Sequence, residues 1–216
     1  MRNAVKPCKS AVSFRFLPHD ILKCILALPG LIWFRPKLVY ESEKAKKRIR
    51  GGALVIANHI GFFDPVYLQY CIWYRRHHFV CLKKFFESRL WLMFKIFLCI
   101  PIDKDNVSIK TMKDIVEHLR CGELVTLFPE GGVETVDGQI SSFKSGMILM
   151  AIQSGKPIVP VYIRKRKHFY NRLVMCVGEA EDLTALREGR PTMRQINLAS
   201  EELRKRETAL SLLYKA

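Results

Sequence analysis

The sequence predicts an α/β fold in a single compact domain: short apolar runs that read as strands alternate with helical stretches. Three observations support this. The strand-like runs are apolar on consecutive residues rather than alternate ones, as strands are when helices cover both faces of a sheet. At 216 residues, 49% hydrophobic and 26% charged, the chain has a globular composition and can bury a sizeable core. No repeat, low-complexity tract or linker divides it.

Taken in order, Cys24 to Phe34 is apolar but broken by Pro29-Gly30, and it falls short of the roughly 20 residues that span a bilayer. No small-x-small cleavage site follows it, and a basic run does, so it does not read as a signal peptide. The reading is an interfacial, amphipathic membrane-associating segment over residues 1–50, ahead of the main domain at 51–216. A helix packed on its own core is the competing account.

Gly51-Gly52 leads into Ala53–Ala57, a buried strand. Asp64 is placed to cap a helix that has Pro65 in its first turn and runs to about Tyr74. Phe79–Leu82 reads as a strand and Phe85–Leu98 as an apolar helix that delivers the chain to Cys99-Ile100-Pro101-Ile102. Asn106 then caps a helix with Ile109, Met112, Val116 and Leu119 on one face, ended by Gly122. Leu124–Phe128 is a strand that enters the turn Pro129-Glu130-Gly131-Gly132. A helix over Ser145–Ser154 is stopped by Gly155; Ile158–Ile163 and Leu173–Val177 supply strands, and Thr192–Tyr214 an amphipathic helix. The sum is a mostly covered mixed sheet flanked by helices.

The formal net charge is +16, with cations in blocks at Lys44 to Arg50, Arg75-Arg76, Lys83-Lys84 and Arg164 to Lys167. Such a field attracts polyanions: anionic lipid, a phosphorylated substrate or carrier, or nucleic acid. The seven cysteines are spread singly, without a CxxC pair or Cys/His ligand spacing, which favours a reducing compartment over a disulfide or metal framework.

Chemistry concentrates in two places. In Asn58-His59-Ile60-Gly61-Phe62-Phe63-Asp64 a histidine precedes a carboxylate by five residues, directly after a buried strand. In a continuous helix the two side chains would diverge by about 140°. A loop through Gly61 removes that objection and lets Asp64 accept the second N–H of His59, fixing its tautomer. Asp64 is also a good helix cap and nothing more on the bland reading. The second stretch is Phe128-Pro129-Glu130-Gly131-Gly132, followed by Phe143-Lys144-Ser145-Gly146; its glycines suit close approach to a ligand or a plain turn.

In this order the segments resemble the boxes of the glycerolipid acyltransferases typified by 1-acylglycerol-3-phosphate acyltransferase. His59 to Asp64 is similar to that family's H-x4-D box, and Phe128 to Gly131 to its F-P-E-G box. Lys83-Lys84 with Ile100 to Lys104 resembles its second box, Phe143 to Gly146 a later FKxG element, and Lys156 to Val161 its V-P-I-V-P box. The resemblance covers roughly Gly51 to Ile163.

It implies acyl transfer from acyl-CoA or acyl carrier protein to a lysophospholipid, most naturally 1-acyl-sn-glycerol-3-phosphate, in phospholipid biosynthesis. His59 is then the general base and Asp64 its holder. Asn58, Gly61, Lys84, Lys104, Glu130, Gly131, Gly132 and Lys144 are the implied substrate-binding residues, and backbone amides near Gly61 or Gly131 the candidates to meet the developing oxyanion. No cofactor beyond the thioester co-substrate and no metal is implied. The expected partners are donor, lysolipid and an anionic membrane surface, with acyl carrier protein as a possible donor and no nucleic acid. The expected location is the cytoplasmic face of a bacterial cell membrane.

Two departures bear on the acceptor. Lys104 stands for the second-box arginine, and Gly132-Val133 for the threonine and arginine that follow the third box. A lysine lacks the bidentate guanidinium fork, so a phosphomonoester acceptor needs compensation from Lys104, Lys144 or Arg164, or the acceptor is another lysolipid. The rival readings are a non-catalytic basic module binding lipid or nucleic acid, and a lipid hydrolase. The chain has no G-x-S-x-G elbow and no recognisable nucleic-acid motif.

Overall fold

The computed structural model describes residues 16–103, 108–131, 142–166, 168 and 170–214. Seven strands form one mixed sheet: β1 (Lys37–Tyr40), β2 (Ala53–Ala57), β3 (His77–Leu82), β4 (Ile100–Ile102), β5 (Leu124–Leu127), β6 (Ile158–Ile163) and β7 (Val174–Val177). Their spatial order is β1-β7-β6-β2-β5-β3-β4. Pairing is parallel throughout except between β6 and β7, so β1 and β7 run against the other five. The helices are α1 (Leu17–Phe34), α2 (Asp64–Cys71), α3 (Trp91–Ile96), α4 (Ile109–Arg120), α5 (Gly146–Ser154), α6 (Thr184–Glu188) and α7 (Met193–Leu210).

Strand β2 shows why both faces are covered. Side chains alternate across a strand, and Leu54 and Ile56 enter a core with α4, α5 and α7. Ala53, Val55 and Ala57 enter a second core with Tyr67, Leu68 and Cys71 of α2. All five β2 residues are buried. Burying each large side chain fully is worth about 1.5–3 kcal/mol, so the site described below is hung on a strand packed on both faces along its whole length.

Several boundaries differ from expectation. The helix expected at Phe85–Leu98 is a 3-10 turn at Lys83–Glu87 followed by the six-residue α3, since Ser88 breaks the run by accepting from the Leu90 amide. The cap of α4 is Ser108, whose hydroxyl accepts from the Thr111 amide; Asn106 lies outside the described residues. Ile109, expected on the core face of that helix, is 72% exposed, and Ile115 takes its place. α7 is shorter than expected but begins at Thr192 with a reciprocal capping box to Gln195. Strand β1 was not expected, and its pairing with β7 starts the sheet ahead of residue 51.

The largest correction concerns the N-terminal segment. Pro29-Gly30 does not interrupt it: α1 runs 18 residues through both, long and apolar enough by length and composition to cross a membrane. Gly30 is required by close approach, because a Cβ there would lie 1.5 Å from the Tyr70 phenol oxygen. That phenol donates to the Leu26 carbonyl at 2.7 Å. Further ties are the Asp20–Arg76 ion pair and the His19 contact with the Ile96 carbonyl, so α1 is fastened along the domain at several points. Its opposite side carries Ile21, Ile25, Leu28, Ile32 and Trp33 into solvent, each at least half exposed.

Candidate active site

Because β2, β3, β5 and β6 are parallel, their carboxyl ends open on one edge, where ligands of such sheets sit. The H-x4-D loop leaves β2 there, Phe128-Pro129-Glu130 leaves β5, and Lys165-Arg166 leaves β6. Sequence segments about 70 and 105 residues apart thus meet around the central strand.

Asp64 is fully buried, and its Oδ2 accepts three N–H groups: Nδ1 of His59 at 2.6 Å and the amides of Ile60 at 2.7 Å and Gly61 at 2.9 Å. The carboxylate does not cap α2 as expected. Phe63 is the capping residue, and Asp64, in the first turn, faces back into the loop that precedes it. That reversal is what brings it to the histidine. With Nδ1–H donated to Asp64, the ring's basic nitrogen is Nε2. The imidazole is 22% exposed and stacks on Phe128, with centroids 4.3 Å apart.

Glu130 closes the loop from the other side: its Oε1 accepts from the backbone N–H of His59 at 3.3 Å. Gly131 adopts φ +69°, the left-handed region that favours glycine, and its amide donates to Phe128. Lys144 packs over it, with its Cε 3.1 Å from where a Cβ would stand. Asn58, expected at the substrate, is buried instead. Its side-chain amide exchanges two hydrogen bonds with the backbone of Ile163, at 2.7 and 3.0 Å, locking the start of the loop to β6. The amides of Gly61 and Gly131, expected as oxyanion donors, are committed to Asp64 and Phe128.

Lys84 is exposed on the 3-10 turn at the carboxyl end of β3, its ammonium over the Phe85 ring. Lys104 and Gly132 lie outside the described residues. Arg164 turns away, donating to the Tyr214 carbonyl at 2.8 Å.

Sequence reasoning missed two groups. A cavity of about 230 Å³ beside the loop is lined by Gly61, Asp64, Tyr67, Lys165 and Arg166. The signal was present, since this basic block directly follows β6. Glu207 of α7 is the other: it is fully buried and its two oxygens have no hydrogen-bond partner among the described residues. Burial, then the neighbouring Glu130 carboxylate, push its carboxyl well above the usual range, while the Asn58 backbone opposes the shift without reaching hydrogen-bond geometry.

The family model described as Acyltransferase matches residues 38–164, from β1 to the end of β6, and so takes in both boxes and the strands that present them. The chain belongs to this acyltransferase family. Over 143 residues it is 27% identical to the 1-acyl-sn-glycerol-3-phosphate acyltransferase of Bacillus subtilis (strain 168), covering 65% of this chain and 66% of that protein. The enzyme of the same name from Limnanthes douglasii is 30% identical over 143 residues, covering 62% of this chain and 47% of its own. The chain therefore spans between about half and two thirds of the length of these relatives. The crystal structure of the 1-acyl-sn-glycerophosphate (LPA) acyltransferase PlsC from Thermotoga maritima shares the fold. Its TM-score is 0.65 at 17% identity, over 94% of this chain and 83% of that one.

Proposed function

We propose that this chain transfers a fatty acyl group from acyl-CoA or acyl carrier protein to the free hydroxyl of a lysophospholipid, 1-acyl-sn-glycerol-3-phosphate above others, as a step of phospholipid biosynthesis. The observation that carries the reading is the His59–Asp64 pair at the carboxyl edge of β2, inside the family-matched region. His59 Nε2 takes the proton of the acceptor hydroxyl as its oxygen attacks the thioester carbonyl. The C–O bond forms, the C–S bond breaks, and the same proton passes to the departing thiolate. Asp64 stabilises the imidazolium between these transfers. The route needs no acyl-enzyme and no cofactor other than the thioester.

Lys165 and Arg166 supply the cationic wall that Lys104 and Val133 leave short of arginine. Arg166 is steadied by the Tyr67 hydroxyl at 2.9 Å, and Lys165 lines the same cavity with an ammonium suited to a phosphate. The direct test is thiol release from palmitoyl-CoA, and from a carrier-protein thioester, with lysolipids that carry or lack a phosphomonoester. Acceptor-dependent release, fastest with the phosphomonoester, is expected; no turnover with either donor would sink the reading. Lys165→Ala is expected to raise KM for the phosphomonoester roughly ten- to hundredfold with kcat little changed.

Because α1 is fastened along the domain, its exposed apolar side lies flat against a bilayer in this reading, with the basic blocks meeting anionic headgroups on the cytoplasmic face. Replacing Ile25 and Ile32, 63% and 72% exposed, together with lysine is expected to reduce co-sedimentation with anionic vesicles by at least about tenfold, since each buried isoleucine is worth about 1.5–3 kcal/mol. Unchanged sedimentation would take α1 out of the docking surface.

A further inference from the structure

At the opposite edge of the sheet, away from His59, three side chains from different elements converge. His78 is the second residue of β3, His118 sits in the last turn of α4, and Glu123 immediately precedes β5. Nε2 of His78 lies 3.2 Å from Glu123 Oε2, and Nδ1 of His118 meets the same oxygen. The ligand atoms of all three fall within 4.8 Å of one another. The two imidazoles face each other with centroids 4.3 Å apart. We propose that His78, His118 and Glu123 form a binding site for a divalent transition metal, zinc by its ligand chemistry, that is separate from the acyl-transfer site.

The donor set argues for the ion. Two imidazole nitrogens and one carboxylate oxygen suit a borderline-soft cation such as Zn²⁺, whereas Mg²⁺ and Ca²⁺ prefer oxygen shells. With bonds of about 2.0–2.1 Å, two ligand atoms of a tetrahedral shell stand about 3.3 Å apart; His78 and Glu123 already have this separation, at 3.2 Å, whereas His118 lies closer to Glu123 and must draw back to admit an ion. A plain hydrogen-bonded trio would satisfy Glu123 too, since one carboxylate oxygen accepts several donors, as Asp64 Oδ2 does; the case for an ion is the ligand chemistry and the gathering of all three ligand atoms within 4.8 Å. Three protein ligands leave a fourth position for water, and a cavity of about 380 Å³ bordered by His78, Glu123 and Cys121 has room for it. The nearby cations are engaged elsewhere: Arg75 donates to the carbonyls of Ile49 and Gly122, and Arg76 is paired with Asp20.

A metal here would pin the carboxyl end of α4 to the paired strands β3 and β5, whose register sets His78 opposite Val125. The cluster has no linear signature. Positions 118 and 123 are close in sequence, but only the pairing of β3 with β5 adds position 78.

The test is to strip the full chain with chelator and titrate it with Co²⁺, then Zn²⁺. A ligand-field band that saturates at one equivalent and is displaced by Zn²⁺ is expected. The melting temperature should rise by about 5–10 °C at a hundredfold excess of Zn²⁺ over its Kd. His118→Gln and Glu123→Gln should each weaken binding beyond the 10–100-fold that outer-shell partners typically cost. Both side chains are partly exposed, and if a variant nonetheless fails to fold, the wild-type titration decides alone. Absence of both the band and the thermal shift in the wild type overturns the site, and so does undiminished binding in the two variants.

Discussion

His59→Ala is expected to lower kcat by between about a hundredfold and about ten-thousandfold, the range contributed by a positioned general base, with the melting temperature changed by only a few degrees. The two halves of this expectation rest on different observations. The catalytic half rests on Nδ1 being bonded to a buried carboxylate, which fixes the tautomer and leaves Nε2 to work. The stability half rests on the ring being partly exposed and touching Phe128 at one face, so truncation leaves little cavity. Asp64→Asn is expected to reduce kcat less but destabilise more, because Asp64 Oδ2 also holds the Ile60 and Gly61 amides and so organises the loop. Steady-state thiol release beside a thermal melt separates the two effects. Retention of more than about a tenth of wild-type kcat in His59→Ala would remove the general-base role and with it the proposed mechanism.

The pair was legible before any coordinates because its physics is local: a buried strand, a glycine-bearing loop and a carboxylate five residues on. The turn of Asp64 back to the imidazole was read from that loop and is found; what the sequence did not give is that Phe63 takes the cap position of α2 in its place. A carboxylate beside a helix start ordinarily caps that helix, and only the turn from Ile60 to Phe63 aims it backward. The partner of Asn58 was not legible either, since its amide is used by Ile163, 105 residues away. Strands with continuous apolar runs, β2 and β6, were placed at their observed bounds, because burial on both faces overrides every other local preference. Strand β1 is half-buried and its KLVY carries too little pattern to stand out. The α1 helix was cut short by weighing Pro29-Gly30 as a break. In fact the glycine admits Tyr70, a long-range contact that repays the local cost.

Replacing Glu207 with methionine is expected to make the protein more stable at neutral pH and to flatten the pH dependence of its stability. Glu207 occupies the same apolar stripe of α7 as Ile196, Ala199, Leu203 and Leu210, where its carboxyl has no hydrogen-bond partner among the described residues. Its folded pKa is raised well above the unfolded value, by burial first and by Glu130 second. A raised pKa means the folded chain holds a proton that the unfolded chain releases. Stability is therefore full below the ordinary glutamate range and falls as pH rises from there to the raised value, at about 1.4 kcal/mol per pH unit. For a chain of this size that slope is about 3–6 °C per unit. Methionine has similar volume and no charge, so the difference between wild type and variant isolates this one group. Glutamine is the poorer probe, because a buried amide without partners carries its own penalty of about 1–3 kcal/mol. A variant with the wild-type slope would show that Glu207 is not the group that titrates. A variant that gains stability but loses acyl transfer would show why a costly carboxyl stands behind Asn58 and Glu130: the acid is kept for the site it backs, at the expense of the fold.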